Sequence, residues 1–147
     1  MVVRSASCGA KKAGSDCKLL LSKRRDGGLL AGLWEFPSVV LAAGDGVSAA
    51  SGAKLSASHA KALRAHASSL GLKADIALQH IGVVSHTFSH VQHHYVIHAV
   101  DVKGDSGAAA TGDRRKWLSV GDIEQAGLSS GPMKVYEIWL KSLGRLK

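Results

Sequence analysis

The stretch Gly28-Leu29-Leu30-Ala31-Gly32-Leu33-Trp34-Glu35-Phe36-Pro37 crowds large apolar side chains into ten positions and ends on a residue with no backbone N–H. Pro37 cannot donate to a sheet ladder, so the segment is expected to stop at or near a sheet edge. Just upstream, Asp26-Gly27-Gly28 is a turn signal. Leu19-Leu20-Leu21, running into Ser22–Arg25, reads as a buried strand leaving the core. The first eighteen residues carry Gly9, Lys11, Lys12 and Gly14 among small polar groups. Residues 1–16 are expected to be partly disordered or to form an edge strand.

Downstream, Gly44–Gly52 is small and polar, a surface loop. Leu55 and then His59, Ala62, Leu63, Ala67 and Leu70 recur at three- and four-residue steps, with Lys61 and Arg64 off that stripe, which predicts a helix over Ser56–Leu70. Ser56 or Ser58 suits its start and Gly71 the position past its end. Ile76–His86 and Tyr95–Val102 read as strands flanking a connection from Thr87 to His94. Both faces of the second strand are largely apolar, as in a central strand. After a soft loop, Asp105–Asp113, come the apolar pair Trp117-Leu118 and a brief helix capped by Ser119 and ended by Gly127. Pro132 opens a last helix with the stripe Val135, Ile138, Trp139, Leu143 and Leu146. Strands, helix, strands, helix make an α/β (α+β) architecture, helices sandwiching a mixed sheet.

A chain of 147 residues makes one domain, residues 1–147, and buries roughly 68–70% of its unfolded surface. Apolar residues at 46% and charged at 20% exclude wholesale disorder. No uncharged apolar run approaches the ~20 residues of a membrane span. Met1-Val2-Val3-Arg4 lacks the apolar region of a secretory signal, so an intracellular chain or a piece of a longer one is expected. Cys8 and Cys17 are too few for a disulfide framework and read as reduced thiols. Nineteen Lys and Arg against eleven Asp and Glu leave +8, which favours an anionic partner.

Chemistry concentrates in Ser85-His86-Thr87-Phe88-Ser89-His90-Val91-Gln92-His93-His94. Its four histidines invite a metal reading, yet structural zinc usually needs cysteine or carboxylate help, and no acid lies between Asp75 and Asp101. Two other readings stay open: histidines satisfying backbone groups at a strand end, and a nucleic-acid contact loop whose hydroxyls and imidazoles reach bases and phosphates. There is no P-loop. Glu35, the only acid near an aromatic cluster, reads as structural.

Three segments together carry a resemblance: Gly28–Pro37, then His86-Thr87-Phe88-Ser89-His90, then Trp117-Leu118 with Ser129-Ser130-Gly131-Pro132-Met133-Lys134-Val135. In order and spacing, from about Cys17 to about Trp139, the chain resembles the C-terminal domain of MutY-family adenine DNA glycosylases, the eukaryotic members above all. The resemblance implies a Nudix-like fold and a recognition role in base excision repair. On it, the domain reads 8-oxoguanine opposite adenine, while a separate catalytic domain of the same protein removes the adenine. The implied reading element is Phe88, Ser89 and His90, supported by Thr87 and His86. The implied partners are double-stranded DNA containing the 8-oxoguanine:adenine pair and that catalytic domain, and the implied location is the nucleus and also the mitochondrion.

No helix-hairpin-helix pattern and no four-cysteine set is present, so an iron–sulfur cluster is expected only in the catalytic domain, with no cofactor or metal in this chain and no catalysis in isolation. Trp34-Glu35-Phe36-Pro37 also resembles Nudix hydrolases of oxidised nucleoside triphosphates, the enzyme alternative. Those enzymes continue with a Gly-Gly pair and a glutamate-rich, magnesium-binding helix. Here Ser38 and Val39 replace the glycines, Ala65, Ser68 and Ser69 stand where the glutamates would be, and Gly46–Ala74 contains no carboxylate. Magnesium requires hard oxygen ligands, so the hydrolase reading fails there. A protein-docking domain is the third alternative.

Overall fold

The computed structural model describes residues 2–5, 8–9, 12–13, 17–41, 56–72, 77–102 and 112–144. The described strands are β1 (Val2–Ser5), β2 (Cys8–Gly9), β3 (Lys12–Ala13), β4 (Lys18–Lys23), β5 (Trp34–Glu35), β6 (Gln79–Phe88), β7 (Val91–Val102) and β8 (Arg115–Ser119). The described helices are α1 (Ala57–Ser69), α2 (Val120–Ile123) and α3 (Ser130–Ser142).

One mixed sheet dominates. From β8 it runs through β4, β1 and β7 to β6, and β5 also pairs with the end of β4. β1 is parallel to β7 and antiparallel to β4, so the expected edge strand at the start of the chain lies inside the sheet. β2 and β3 form a separate two-stranded ribbon. Leu19-Leu20-Leu21 is buried throughout because β4 is covered on both faces. Leu19 and Leu21 join Ile97, Val135, Tyr136, Trp139 and Leu140 under α3. Leu20 joins Val3, Val100 and Val102 with Leu63, Ala67 and Leu70 of α1. The sequence-predicted layers therefore hold.

Local signals act as their chemistry dictates. Ser56 Oγ accepts from the His59 N–H at 3.2 Å and starts α1. Gly71, at φ 81°, follows its end. Ser119 Oγ accepts from the Asp122 N–H at 3.3 Å and caps α2. Glu35 to Pro37 leaves the sheet after a two-residue β5, as Pro37 requires. Trp117-Leu118, expected as an isolated anchor, is the middle of β8, paired with Leu19 and Leu20 along the flank of β4. Cys17, expected as a reduced thiol, is disulfide-bonded in the structure. The expected loops at 44–52 and 105–113, Ile76, and Leu146 lie wholly or partly outside the described residues. Among those described, no helix is long and apolar enough to cross a membrane.

Candidate functional site

β6 and β7 form a long antiparallel hairpin whose register runs Ser85↔His94, His86↔His93, Thr87↔Gln92 and Phe88↔Val91. Only Ser89 and His90 are left to turn the chain. The expected connection from Thr87 to His94 is thus mostly strand. Polar side chains on an exposed strand face do not interrupt backbone pairing, and Thr, Phe and Val favour it. Ser89 adopts φ 55°, a left-handed conformation that two-residue turns usually assign to glycine or asparagine.

Residues directly opposite each other share a face of the hairpin. Val84 with Tyr95, His86 with His93, and Phe88 with Val91 face one side. Ser85 with His94 and Thr87 with Gln92 face the other. The four histidines therefore diverge: His86 and His93 on one face, His94 on the opposite one bound through Nδ1 to Ser85 Oγ at 2.8 Å, and His90 in the turn. Among the described residues no group of three metal-ligating side chains is assembled. The expected reading element itself is continuous. Thr87, Ser89 and His90 are exposed, Phe88 is half-buried beside the exposed Val91, and the Ser89 hydroxyl has no hydrogen-bond partner among the described residues.

What holds this element lies beneath its first face. His86 Nε2 and Ser130 Oγ, in the first turn of α3, are 3.2 Å apart and hydrogen-bonded. Gly131 is buried, and a β-carbon there would stand 2.8 Å from Tyr95 Oη and 3.4 Å from His86 Cδ2, so the helix start seats against the hairpin through a missing side chain. The His93 and Tyr95 rings stack at 6.1 Å. Glu35 of β5 pairs with Arg24 at 3.5 Å. Burial raises the Glu35 carboxyl above its ordinary value, and Arg24 partly opposes this. Burial also raises the Tyr95 phenol, with Arg24 lowering and Glu35 raising it, so all three share one electrostatic environment. His86 and Ser130-Gly131, from two of the three segments that carry the resemblance, meet around Tyr95, and Glu35 of the remaining segment acts on it electrostatically. The roles of Tyr95 and Arg24 were not foreseen, because nothing in their local sequence marks partners distant along the chain.

The α1 face offers different chemistry. Ala65, Ser68 and Ser69, the positions a hydrolase would fill with glutamates, are exposed. Ser69 Oγ donates to the His66 carbonyl at 2.6 Å. Exposed Lys61 and Arg64 flank them, and a magnesium ion finds no carboxylate on this helix.

A mixed sheet between two helices, with the strand-loop segment ending at Pro37 set against it, defines a NUDIX-type α+β domain. The family model for the NUDIX domain matches residues 13–137, and the chain belongs to that family. Among curated proteins it is similar to adenine DNA glycosylase of Rattus norvegicus, 31% identical over 92% of this chain and 25% of that protein. The Homo sapiens adenine DNA glycosylase is 29% identical over 92% of this chain and 23% of that protein. The chain thus spans about a quarter of the length of these relatives. Among solved structures, the C-terminal domain of mouse MUTYH, in complex with human PCNA, is 27% identical, with TM-score 0.66 over 99% of this chain and 87% of that one. A mutT/nudix family protein from Listeria innocua, at 13% identity and TM-score 0.68 over 98% of this chain and 90% of that one, shares the fold.

Proposed function

We propose that this chain is the lesion-recognition domain of an adenine DNA glycosylase, reading 8-oxoguanine opposite adenine for a catalytic domain elsewhere in the same protein, in the nucleus and the mitochondrion. The observation that carries the reading is Ser89: an exposed hydroxyl, free of partners among the described residues, at the apex of a stiff hairpin. Oxidation at C8 converts N7 of guanine from an acceptor to an N–H donor and adds an acceptor oxygen, and a hydroxyl can both accept from the one and donate to the other. Phe88 anchors the turn from its half-buried side, His90 stands beside the hydroxyl, and Thr87 and the Ser130-bonded His86 hold the strand end. Similarity to adenine DNA glycosylases supports the DNA partner.

The test compares binding of this chain to two duplexes, one with 8-oxoguanine and one with guanine opposite adenine, at low salt. Ser89→Ala is expected to reduce the ratio of the two affinities by the about 1–3 kcal/mol of a base-edge contact, roughly 5- to 150-fold. An unchanged ratio refutes the assignment. Oxidised nucleoside triphosphates with magnesium are expected to show no turnover, since α1 lacks the ligands. The mouse domain's complex with human PCNA favours one further reading, that this chain also docks on PCNA. Titration calorimetry with PCNA, showing heat or none, decides it.

A further inference from the structure

Two basic runs, Lys23-Arg24-Arg25 and Arg114-Arg115-Lys116, lie more than 85 residues apart in the chain and side by side in the fold. β4 pairs with β8 through Ser22↔Arg115 and Leu21↔Lys116, and the Lys23 N–H donates to the Arg114 carbonyl at 2.7 Å. Pairing thus concentrates six cations at the end of β4, with Asp26, Glu35 and Asp113 the acids of the same segments. Two of the six are directed elsewhere. Arg115 donates to the Leu70 carbonyl at 3.4 Å, and the Lys116 ammonium sits 4.3 Å above the Trp34 ring. Arg24 is steered by Glu35, and Arg114 by Asp26. Lys23 and Arg25 are exposed and have no ion-pair partner among the described residues.

The position of this cluster relative to the hairpin follows from the registers. Val2 stands opposite Ala99, and β4 runs antiparallel to β1, so Lys23 and the Ser89-His90 turn project from the same end of the sheet. The shared electrostatic environment of Arg24 and Tyr95 agrees with this. At strand rise the turn extends roughly 25 Å beyond Lys23. That distance corresponds to about seven base-pair steps of duplex rise.

We infer that Lys23, Arg24, Arg25 and Arg114 form a track for the phosphate backbone of duplex DNA, several base pairs from the nucleotide that meets the hairpin turn. The inference rests on the lesion-reading proposal for its choice of partner. Chemically the track is sequence-blind: guanidinium and ammonium groups meet phosphates, fix register along the duplex, and leave base discrimination to the turn.

The test measures the affinity of this chain for a 20-base-pair duplex, with and without the 8-oxoguanine:adenine pair, across salt concentrations. Lys23→Gln/Arg25→Gln is expected to weaken both duplexes alike and to reduce the salt slope by about 1–2, as loss of up to two phosphate contacts requires. Lys61→Gln/Arg64→Gln on α1 is expected to leave the slope unchanged. An unchanged slope in the first double variant overturns the track, as does a loss confined to the lesion duplex. Displacement of the duplex by polyglutamate at equal charge concentration overturns it too, since the surface then suits an acidic polypeptide. The two proposals separate cleanly. A reduced slope without lesion preference sustains the track and sinks the Ser89 assignment, and a lesion preference with an unchanged slope does the reverse.

Discussion

Acid should loosen this fold through His98. The side chain lies on β7, on the same side of the strand as Val100 and Val102, and is 2% exposed. Neither ring nitrogen has a hydrogen bond of good geometry, and the His80 ring meets it edge-on at 5.1 Å. Burial, and then the charge of His80, push its pKa from the ordinary 6.5 down to about 4, opposed weakly by the Val96 backbone. Above pH 6.5 both folded and unfolded chains carry a neutral imidazole, and this residue adds no pH dependence. Between 6.5 and 4 the unfolded chain takes up a proton that the folded one refuses, so stability falls as pH falls. At pH 4.5 the loss is about 2.5 kcal/mol, and it levels off at about 3.4 kcal/mol well below pH 4. His66, whose pKa burial also lowers, contributes in the same direction. Urea unfolding at pH 7.5, 6, 5 and 4.5 reads the effect. His98→Leu removes the titrating group and the unbonded nitrogens together, and is expected to flatten the curve by about that 2.5 kcal/mol. Parallel stability profiles for the two proteins from pH 7.5 to 4.5 would refute the reasoning.

Gly131→Ala places a methyl 2.8 Å from Tyr95 Oη and is expected to cost about 1–3 kcal/mol in urea unfolding. Tyr95→Phe in the same chain should return part of that loss, a coupling a double-mutant cycle measures. Asp101→Asn leaves the buried Arg4 guanidinium, now 2.8 Å from the Asp101 carboxylate, without its counter-charge. Because Asp101 is half exposed, a loss of about 2 kcal/mol is expected, below the full range for a buried pair. Ser89→Gly relieves the left-handed conformation while adding chain entropy. Its thermal midpoint should stay or rise, by no more than about 1 kcal/mol equivalent, as lesion preference falls.

Much of the fold was legible because it rests on local chemistry. Leu19-Leu20-Leu21 reads as a doubly buried strand from composition alone, and Ser56, Ser119, Gly71 and Gly127 mark helix and turn boundaries by capping and by positive φ. The hairpin's length was not legible. Thr87 to His94 looks like a polar connection, and the signal that normally announces a two-residue turn, glycine or asparagine, is replaced by Ser89. The place of β1 was hidden for another reason: parallel pairing with Ala99–Val102 depends on partners almost a hundred residues away. The positions expected to touch a base were visible by resemblance. The packing of Tyr95 against Gly131 beneath them was not, since only the packed structure gives Gly131 a reason to lack a β-carbon.

The two helices also explain how a NUDIX scaffold can serve recognition. In this chain α1 still covers the sheet with His59, Leu63 and Ala67, so its apolar face remains fully employed. Its outer face bears Lys61, Arg64, Ala65, Ser68 and Ser69, which leaves it cationic and without metal ligands. The fold's stability is indifferent to that outer face, because exposed positions off the stripe contribute little to packing. Specific structure has instead been built on the opposite face of the sheet. There the start of α3 is docked against Tyr95 and His86 tightly enough to exclude a methyl group. A hairpin tip braced in this way spends less conformational entropy when a duplex arrives. A hairpin packed against α3 and a permissive α1 are the pattern expected on the proposed recognition role.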